Sequence, residues 1–301
     1  MPRTRFALLI LILALLPLTA LAAETITFQK TVKVKTDVEY VDLGETKAKS
    51  LDELIVFLKK LPNLKKVDMF ATTVNASQIK KLEKNLPNVE FGWTMSIKCR
   101  NPRHPERNTH LIRTDATAFS TLHNNQCMEH TSADFEILKY CKNLLALDIG
   151  HNRVDDLSFL QYLPKLRVLI IGRNNIIKDL SPIANCPDLE YLEAFSNQIA
   201  SVKPLLSCPH LMDLNITNNP VQDPELYAQM TSLKRLWVYQ STAKGKDIAA
   251  LKSTLKKALP NCTIDWNQMG TNGWREPNKH YKVISEMFNT GVYIPFADSY
   301  E

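Results

Sequence analysis

Glycine is scarce, with eight residues in 301. So few glycines argue against loops that cradle phosphates. The sequence also contains no G-x-S-x-G elbow, H-E-x-x-H helix, Walker segment or G-x-G-x-x-G turn. Charge of one sign is missing too. Without the first 22 residues the chain carries 35 basic and 31 acidic residues, a net charge of +4. Its lysines come in pairs such as Lys59-Lys60, Lys80-Lys81 and Lys256-Lys257 beside leucines at helical spacing. That pattern reads as solvated helix faces, so nucleic acid is not an expected partner. What remains, 45% hydrophobic and 23% charged, is ordinary globular composition.

The first residues follow a different logic. Arg3 and Arg5 precede an apolar run from Phe6 to Leu16, then Pro17 and Ala20-Leu21-Ala22. A basic start, a short apolar stretch and small residues two apart predict a secretory signal peptide over 1–22, cut after Ala22. An uncleaved anchor is the alternative, although Pro17 interrupts a run that barely spans a bilayer. No cysteine occurs there, which speaks against a lipid-anchored form. The end, Phe296-Ala-Asp-Ser-Tyr-Glu301, shows no sorting signal and no transmembrane tail. The expectation is a secreted or extracytoplasmic protein without stable membrane insertion, or one at the cell surface if the leader is retained.

Self-similarity is the dominant feature. Leu144-x-x-Leu147-x-Ile149-x-x-Asn152 recurs as Leu166-x-x-Leu169-x-Ile171-x-x-Asn174 and Leu189-x-x-Leu192-x-Ala194-x-x-Asn197. It recurs again as Leu211-x-x-Leu214-x-Ile216-x-x-Asn219 and Leu233-x-x-Leu236-x-Val238-x-x-Ser241, in steps of 22, 23, 22 and 22 residues. Val154, Ile176, Ile199 and Val221 continue the inward pattern, and pairs such as Leu157/Leu160, Leu180/Ile183 and Val202/Leu205 close each unit. These segments resemble the leucine-rich-repeat family. Asp179-Leu-Ser-Pro-Ile183 and Ser201-Val-Lys-Pro-Leu205 are similar to the short 22-residue subclass of bacterial internalins.

Alternation along a strand points Leu147 and Ile149 inward and Asp148 outward. The sharp turn that follows leaves backbone groups unpaired, and an asparagine side chain can bond them. The asparagine column is therefore structural. One unit of 22 residues loses more conformational entropy than its own apolar burial returns, so neighbours must stack and share a core. The expected fold class is α/β: a solenoid of residues 141–266 with a parallel sheet on its concave face.

The flanks are looser. Leu64-x-x-Val67-x-Met69 and Val38-x-x-Val41-x-Leu43 are weaker copies within helix-containing repeats over 38–98. Ser50 with Glu53 forms a capping box before the stripe Leu51, Leu54, Ile55, Leu58, Leu61. Leu82-x3-Leu86-Pro-Asn-x2-Phe91-x-Trp93 matches Leu255-x3-Leu259-Pro-Asn-x2-Ile264-x-Trp266, each a helix and then a strand. Residues 23–37, alternating from Thr25 to Lys35, predict an N-terminal cap strand. Residues 267–301, with Tyr281, Ile284 and Phe288 as an apolar side, predict a cap over the other end. Residues 99–140 read as an irregular insertion or coil.

Cys141, Cys186 and Cys208 share a column with Leu163 and Met230, and Cys262 aligns with Val89, so all four read as core. Cys99 and Cys127 lack a packing explanation, and an exported chain can join them in a disulfide. His123-x3-Cys127-x2-His130, with His104 and His110, has spacing that zinc can use, although no second cysteine pair completes a pattern. Asn75, Asn215 and Asn261 head glycosylation sequons.

The outward strand positions carry the ligand expectation. By column they run Ala146, Val168, Tyr191, Asp213, Arg235; then Asp148, Ile170, Glu193, Asn215, Trp237; then Gly150, Gly172, Phe195, Thr217, Tyr239; and last His151, Arg173, Ser196, Asn218, Gln240. Exposed aromatics rimmed with charge mark an interface. The expected partner-binding residues are Asp148, His151, Arg173, Tyr191, Glu193, Phe195, Asp213, Trp237 and Tyr239, with no catalytic residue, metal or cofactor. The resemblance implies a protein partner bound on the concave face. The alternatives are a cell-envelope carbohydrate binder in which Trp237 and Tyr239 stack on sugars, and a metal-dependent enzyme using residues 99–130.

Overall fold

A computed structural model of the chain describes residues 23–98, 109–122, 128–242, 245–271, 273–275 and 279–297. The expected leader, Cys99, His104, His123 and Cys127 lie outside the described residues.

The N-terminal part opens on a hairpin of β1 (Thr25–Phe28) and β2 (Val32–Lys35). One continuous cap strand was the expectation. The chain instead turns at Gln29 and Lys30, which take φ of 45° and 63° without the Asn or Gly that usually signals such a turn. Next come β3 (Tyr40–Asp42), α1 (Leu51–Leu58), β4 (Lys66–Val74), α2 (Ala76–Asn85), β5 (Glu90–Lys98) and β6 (Thr109–Arg113). They form a four-stranded sheet in the order β3-β4-β5-β6, and β6 runs antiparallel to β5. Ser50 caps α1 by accepting from the Glu53 amide, and Asn75 with Gln78 completes a full capping box on α2.

The repeats build a seven-stranded parallel sheet. Its strands are β7 (Ala118–Ser120), β8 (Ala146–Asp148), β9 (Val168–Ile170), β10 (Tyr191–Glu193), β11 (Asp213–Asn215), β12 (Arg235–Trp237) and β13 (Thr263–Asp265). The register stacks Phe119, Leu147, Leu169, Leu192, Leu214, Leu236 and Ile264 in one row. β7 adds a coil ahead of the five read from the sequence, and Ser132–Tyr140 forms a regular 3-10 stretch behind it. The described residues 109–122 and 128–140 thus contribute two strands and a 3-10 stretch. On the convex side 3-10 turns return the chain at Ser158–Tyr162, Ser181–Asn185, Lys203–Ser207 and Pro224–Gln229. Prolines open the last three of these, where a missing N–H costs nothing. α3 (Ile248–Ala258) replaces the 3-10 turn in the last unit. One apolar core runs unbroken from Phe28 to Leu259, and Cys141, Cys186 and Cys208 are free thiols within it. Cys262, expected in the core, is half-buried.

The asparagine column performs the expected work. Asn174 Nδ2 donates to Ile149 O and Ile171 O, at 3.2 and 2.9 Å, while its Oδ1 accepts from Val154 N at 3.0 Å. Asn219 repeats the pattern with Ala194 O, Ile216 O and Ile199 N. The single 23-residue step changes one coil. Its extra residue is absorbed at Asn175, held at φ 65°, so Ile177 takes the inward place expected for Ile176, which is 38% exposed. One coil later Asn197 Oδ1 is buried and accepts no bond among the described residues.

The C-terminal segment departs most from expectation. Among the described residues its helix does not pack on β13. The segment folds back across the concave face, and α4 (Lys279–Thr290) packs on β7 and β8.

Candidate functional site

The outward strand positions meet this returning segment and build a second buried cluster. Ala118, Ala146, Val168, Ile170, Tyr191 and Trp237 pack against Trp274, Ile284, Met287, Phe288 and Phe296. Six of the nine expected partner-binding residues, Asp148, Tyr191, Glu193, Phe195, Asp213 and Trp237, are buried. Their expected exposure is therefore corrected. A parallel sheet with apolar residues on both faces needs cover on both, and the chain supplies it from its own C-terminal segment.

Trp274 and Arg275 lie at the centre. The Trp274 indole Nε1 donates to Tyr191 Oη at 2.8 Å and to Glu193 Oε1 at 3.0 Å. Arg275 grips the same carboxylate, its Nη2 reaching Oε2 at 2.6 Å and its Nε reaching Oε1 at 3.1 Å, while Nη1 donates to Tyr281 Oη at 2.8 Å. Tyr191 also donates to Glu193. Arg235 pairs with Asp213, donates from Nη1 to Trp274 O at 3.0 Å, and lies over the indole. Asn215 Nδ2 donates to Gly270 O at 2.7 Å, and Gly270 N donates to Thr217 Oγ1 at 3.1 Å. Asn215 is fully buried, so its sequon has no room for a glycan beneath this segment. At the other end Ala118 N donates to Gly291 O and Tyr293 N to Thr117 Oγ1, while Tyr293 Oη reaches Glu190.

The electrostatics follow from burial. Burial raises Asp213 to about 6, offset in part by its hydrogen bond and charge pairing with Arg235 and reinforced by Glu193. Burial likewise lifts Tyr191 well above its ordinary value, with Glu193 adding to it. Burial opposes the charge on Arg275, yet the facing Glu193 carboxylate leaves its pKa raised.

Three expected residues stay accessible along the rim: His151 and Tyr239 are partly exposed and Arg173 is exposed. His151, Arg173, Ser196, Asn218 and Gln240 hold φ between 50° and 56° in five successive coils, a left-handed turn that aims each side chain outward. Two polar grooves run beside them. One, of about 620 Å³, is lined by Glu129, His151, Arg153, Arg173 and Asn175; the other, of about 440 Å³, by Asn175, Ser196, Asn218, Gln240 and Thr242. Burial and then the Arg173 charge lower the pKa of His151.

Sequence reasoning missed Trp274, Arg275 and Phe296 as partners of the sheet. The outward Glu193 was the available signal, because its column offers no cation beside it and Arg275 from the returning segment supplies one. The carbohydrate reading loses Trp237, which lies edge-on to Trp274 with centroids 5.4 Å apart. Of the residues offered for a metal, His110 and His130 are described, both buried, with ring centroids 5.2 Å apart. Among the described residues no helix is long and apolar enough to cross a membrane.

The in-register coils, the asparagine column and the convex 3-10 turns define a leucine-rich-repeat solenoid with repeats of the short internalin-like length. Residues 142–185 match the family described as Leucine Rich repeats (2 copies). Among solved structures the chain is similar to the internalin InlF of Listeria monocytogenes, at 21% identity and a TM-score of 0.40 over 78% of this chain. It is also similar to a leucine-rich-repeat protein of Leptospira interrogans, at 21% identity and a TM-score of 0.42 over 76% of this chain. A third likeness, to the internalin InlC2 of L. monocytogenes, has 22% identity and a TM-score of 0.36 over 65% of this chain and 78% of the other. The chain spans about half the length of the first two, 56% and 54%. No curated protein sequence matches it.

Proposed function

We propose that this chain is an exported, non-enzymatic interaction module that recognises a protein partner on the concave side of its repeats, first through the rim formed by His151, Arg173 and Tyr239. One observation carries the reading. In five successive coils the same position is turned outward, is at least partly exposed, and bears a different side chain each time. A rigid array of chemically varied groups is what specific recognition of an extended protein surface needs. The buried residues Asp148, Tyr191, Glu193, Phe195, Asp213 and Trp237 form the layer beneath, held at present by the chain's own segment.

Intact chain carrying Arg173→Glu or Tyr239→Ala tests this in affinity capture from its native surroundings, with Lys203→Glu on the convex side as the control. Loss of a captured protein with the rim variants alone is the expected result. Equal retention by all three, or equal loss from all three, contradicts it. Export is tested by N-terminal sequencing of the native protein, where a chain beginning at Ala23 is expected.

A further inference from the structure

The segment across the concave face is held as a bound peptide is held. Its backbone is read by side chains of the coils: Gly270 by Asn215 and Thr217, Trp274 O by Arg235, Tyr293 N by Thr117. Its side chains enter specific places, the indole of Trp274 between Arg235 and Tyr191, and the guanidinium of Arg275 forked onto Glu193. A cover that served only to exclude water would need apolar contacts alone. Glu193 and Asp213 are instead fully buried carboxylates, and burying ions is costly unless the geometry selects a particular partner. Arg235 already answers Asp213 from within the coils. Glu193 draws its guanidinium from outside the coils, from Arg275.

We infer that the concave face is a receptor for a protein segment in which an aromatic residue is followed by arginine, and that the described residues of 270–296 are its resident occupant in cis. This deepens the interaction reading and rests on it: the partner supplies its own aromatic–arginine pair and displaces the chain's. The linkage sets the threshold, because a tethered occupant acts at about millimolar effective concentration. A partner must therefore bind the rim as well as the face, which keeps the free chain latent.

The test uses the full chain with a protease recognition sequence inserted between Gln268 and Met269, both exposed. After cleavage, a fluorescent peptide of residues 269–297 is added and its polarisation followed. The expected result is uptake by the cleaved chain, chase by unlabelled peptide, and competition about 30-fold weaker from a peptide carrying Trp274→Ala and Arg275→Ala. The uncut chain should take up the peptide at least about tenfold less well. Glu193→Gln in the cleaved chain should weaken uptake of the native peptide, while Lys203→Glu on the convex side should leave that uptake unchanged. No uptake by a cleaved chain that keeps its circular dichroism, uptake indifferent to the two alanines, or collapse of the fold on cleavage would each overturn the inference. The two readings fail separately, since peptide exchange does not depend on Arg173 and rim capture is scored without added peptide.

Discussion

The guanidinium carbon of Arg235 lies over the indole of Trp274, 3.9 Å from the ring centroid, while its Nη1 holds the carbonyl of that same tryptophan at 3.0 Å. One side chain of the sheet thus fixes both the ring and the backbone of the returning segment, and its other nitrogens pair with Asp213. Arg235→Ala would remove all three contacts and deprive the buried Asp213 carboxylate of its guanidinium. A loss of about 3–5 kcal/mol in urea unfolding is expected. Arg235→Lys keeps a charge but not the planar fork, so it should recover only part of this. A loss below about 1 kcal/mol would show that the segment does not depend on Arg235.

The ring of Phe195 lies over Gly172. A Cβ at Gly172 would collide with the edge of that ring. Gly172→Ala must therefore push the ring toward Gly270, which it already approaches. Overpacking of this kind is expected to cost about 1–3 kcal/mol. The double variant Gly172→Ala with Phe195→Leu should recover part of it, and additive losses would contradict the contact.

The asparagine column offers an internal comparison. Asn219 donates to three carbonyls and accepts from Ile199 N, whereas Asn197 donates to three and accepts nothing among the described residues. Replacing Asn219 by alanine leaves one more buried group unsatisfied than replacing Asn197 does. The Asn219→Ala loss should be the larger by about 1 kcal/mol in chemical denaturation. The reverse order would place the irregularity of the 23-residue coil somewhere other than Asn175.

Most of the scaffold was legible before any coordinate. Leucines spaced 22 residues apart fix which side chains hide, and strand alternation then fixes which face outward. The strand register and the bonds of Asn152, Asn174 and Asn219 followed from that spacing alone. Two things did not. Period-two alternation shows that Tyr191, Glu193 and Trp237 leave the first core, but not whether water or protein waits beyond. The Ile176/Ile177 pair is ambiguous because either isoleucine satisfies the apolar pattern, and the backbone turn at Asn175 decides between them. The returning segment reads as an end cap because its apolar side, Tyr281, Ile284 and Phe288, states that it covers something without saying what.

Burial raises Asp213 from 3.8 to about 6. Between those values the folded chain binds the proton more tightly than the unfolded chain does. This group's contribution to stability therefore falls as pH rises through the window. The neutral amide of an Asp213→Asn variant resembles the protonated acid and has no such dependence. The melting temperature of the wild type minus that of the variant is expected to be most favourable near the lower end of that window and to decline through its upper end. A flat difference would mean that pairing with Arg235 cancels the effect of burial, and one that grows with pH would mean that pairing outweighs it.

The outward layer of the sheet is sealed by the described residues of 270–296 while the rim stays open, and hydroxyl-radical footprinting of the intact chain measures this side chain by side chain. Tyr191, Phe195, Trp237 and Trp274 should be protected, while Met269 and Tyr162, both exposed, are oxidised readily and Tyr239 at an intermediate rate. Oxidation of Tyr191 and Trp237 as fast as Met269 would contradict the account, because it would mean that the face is open and that nothing of the chain's own rests upon it.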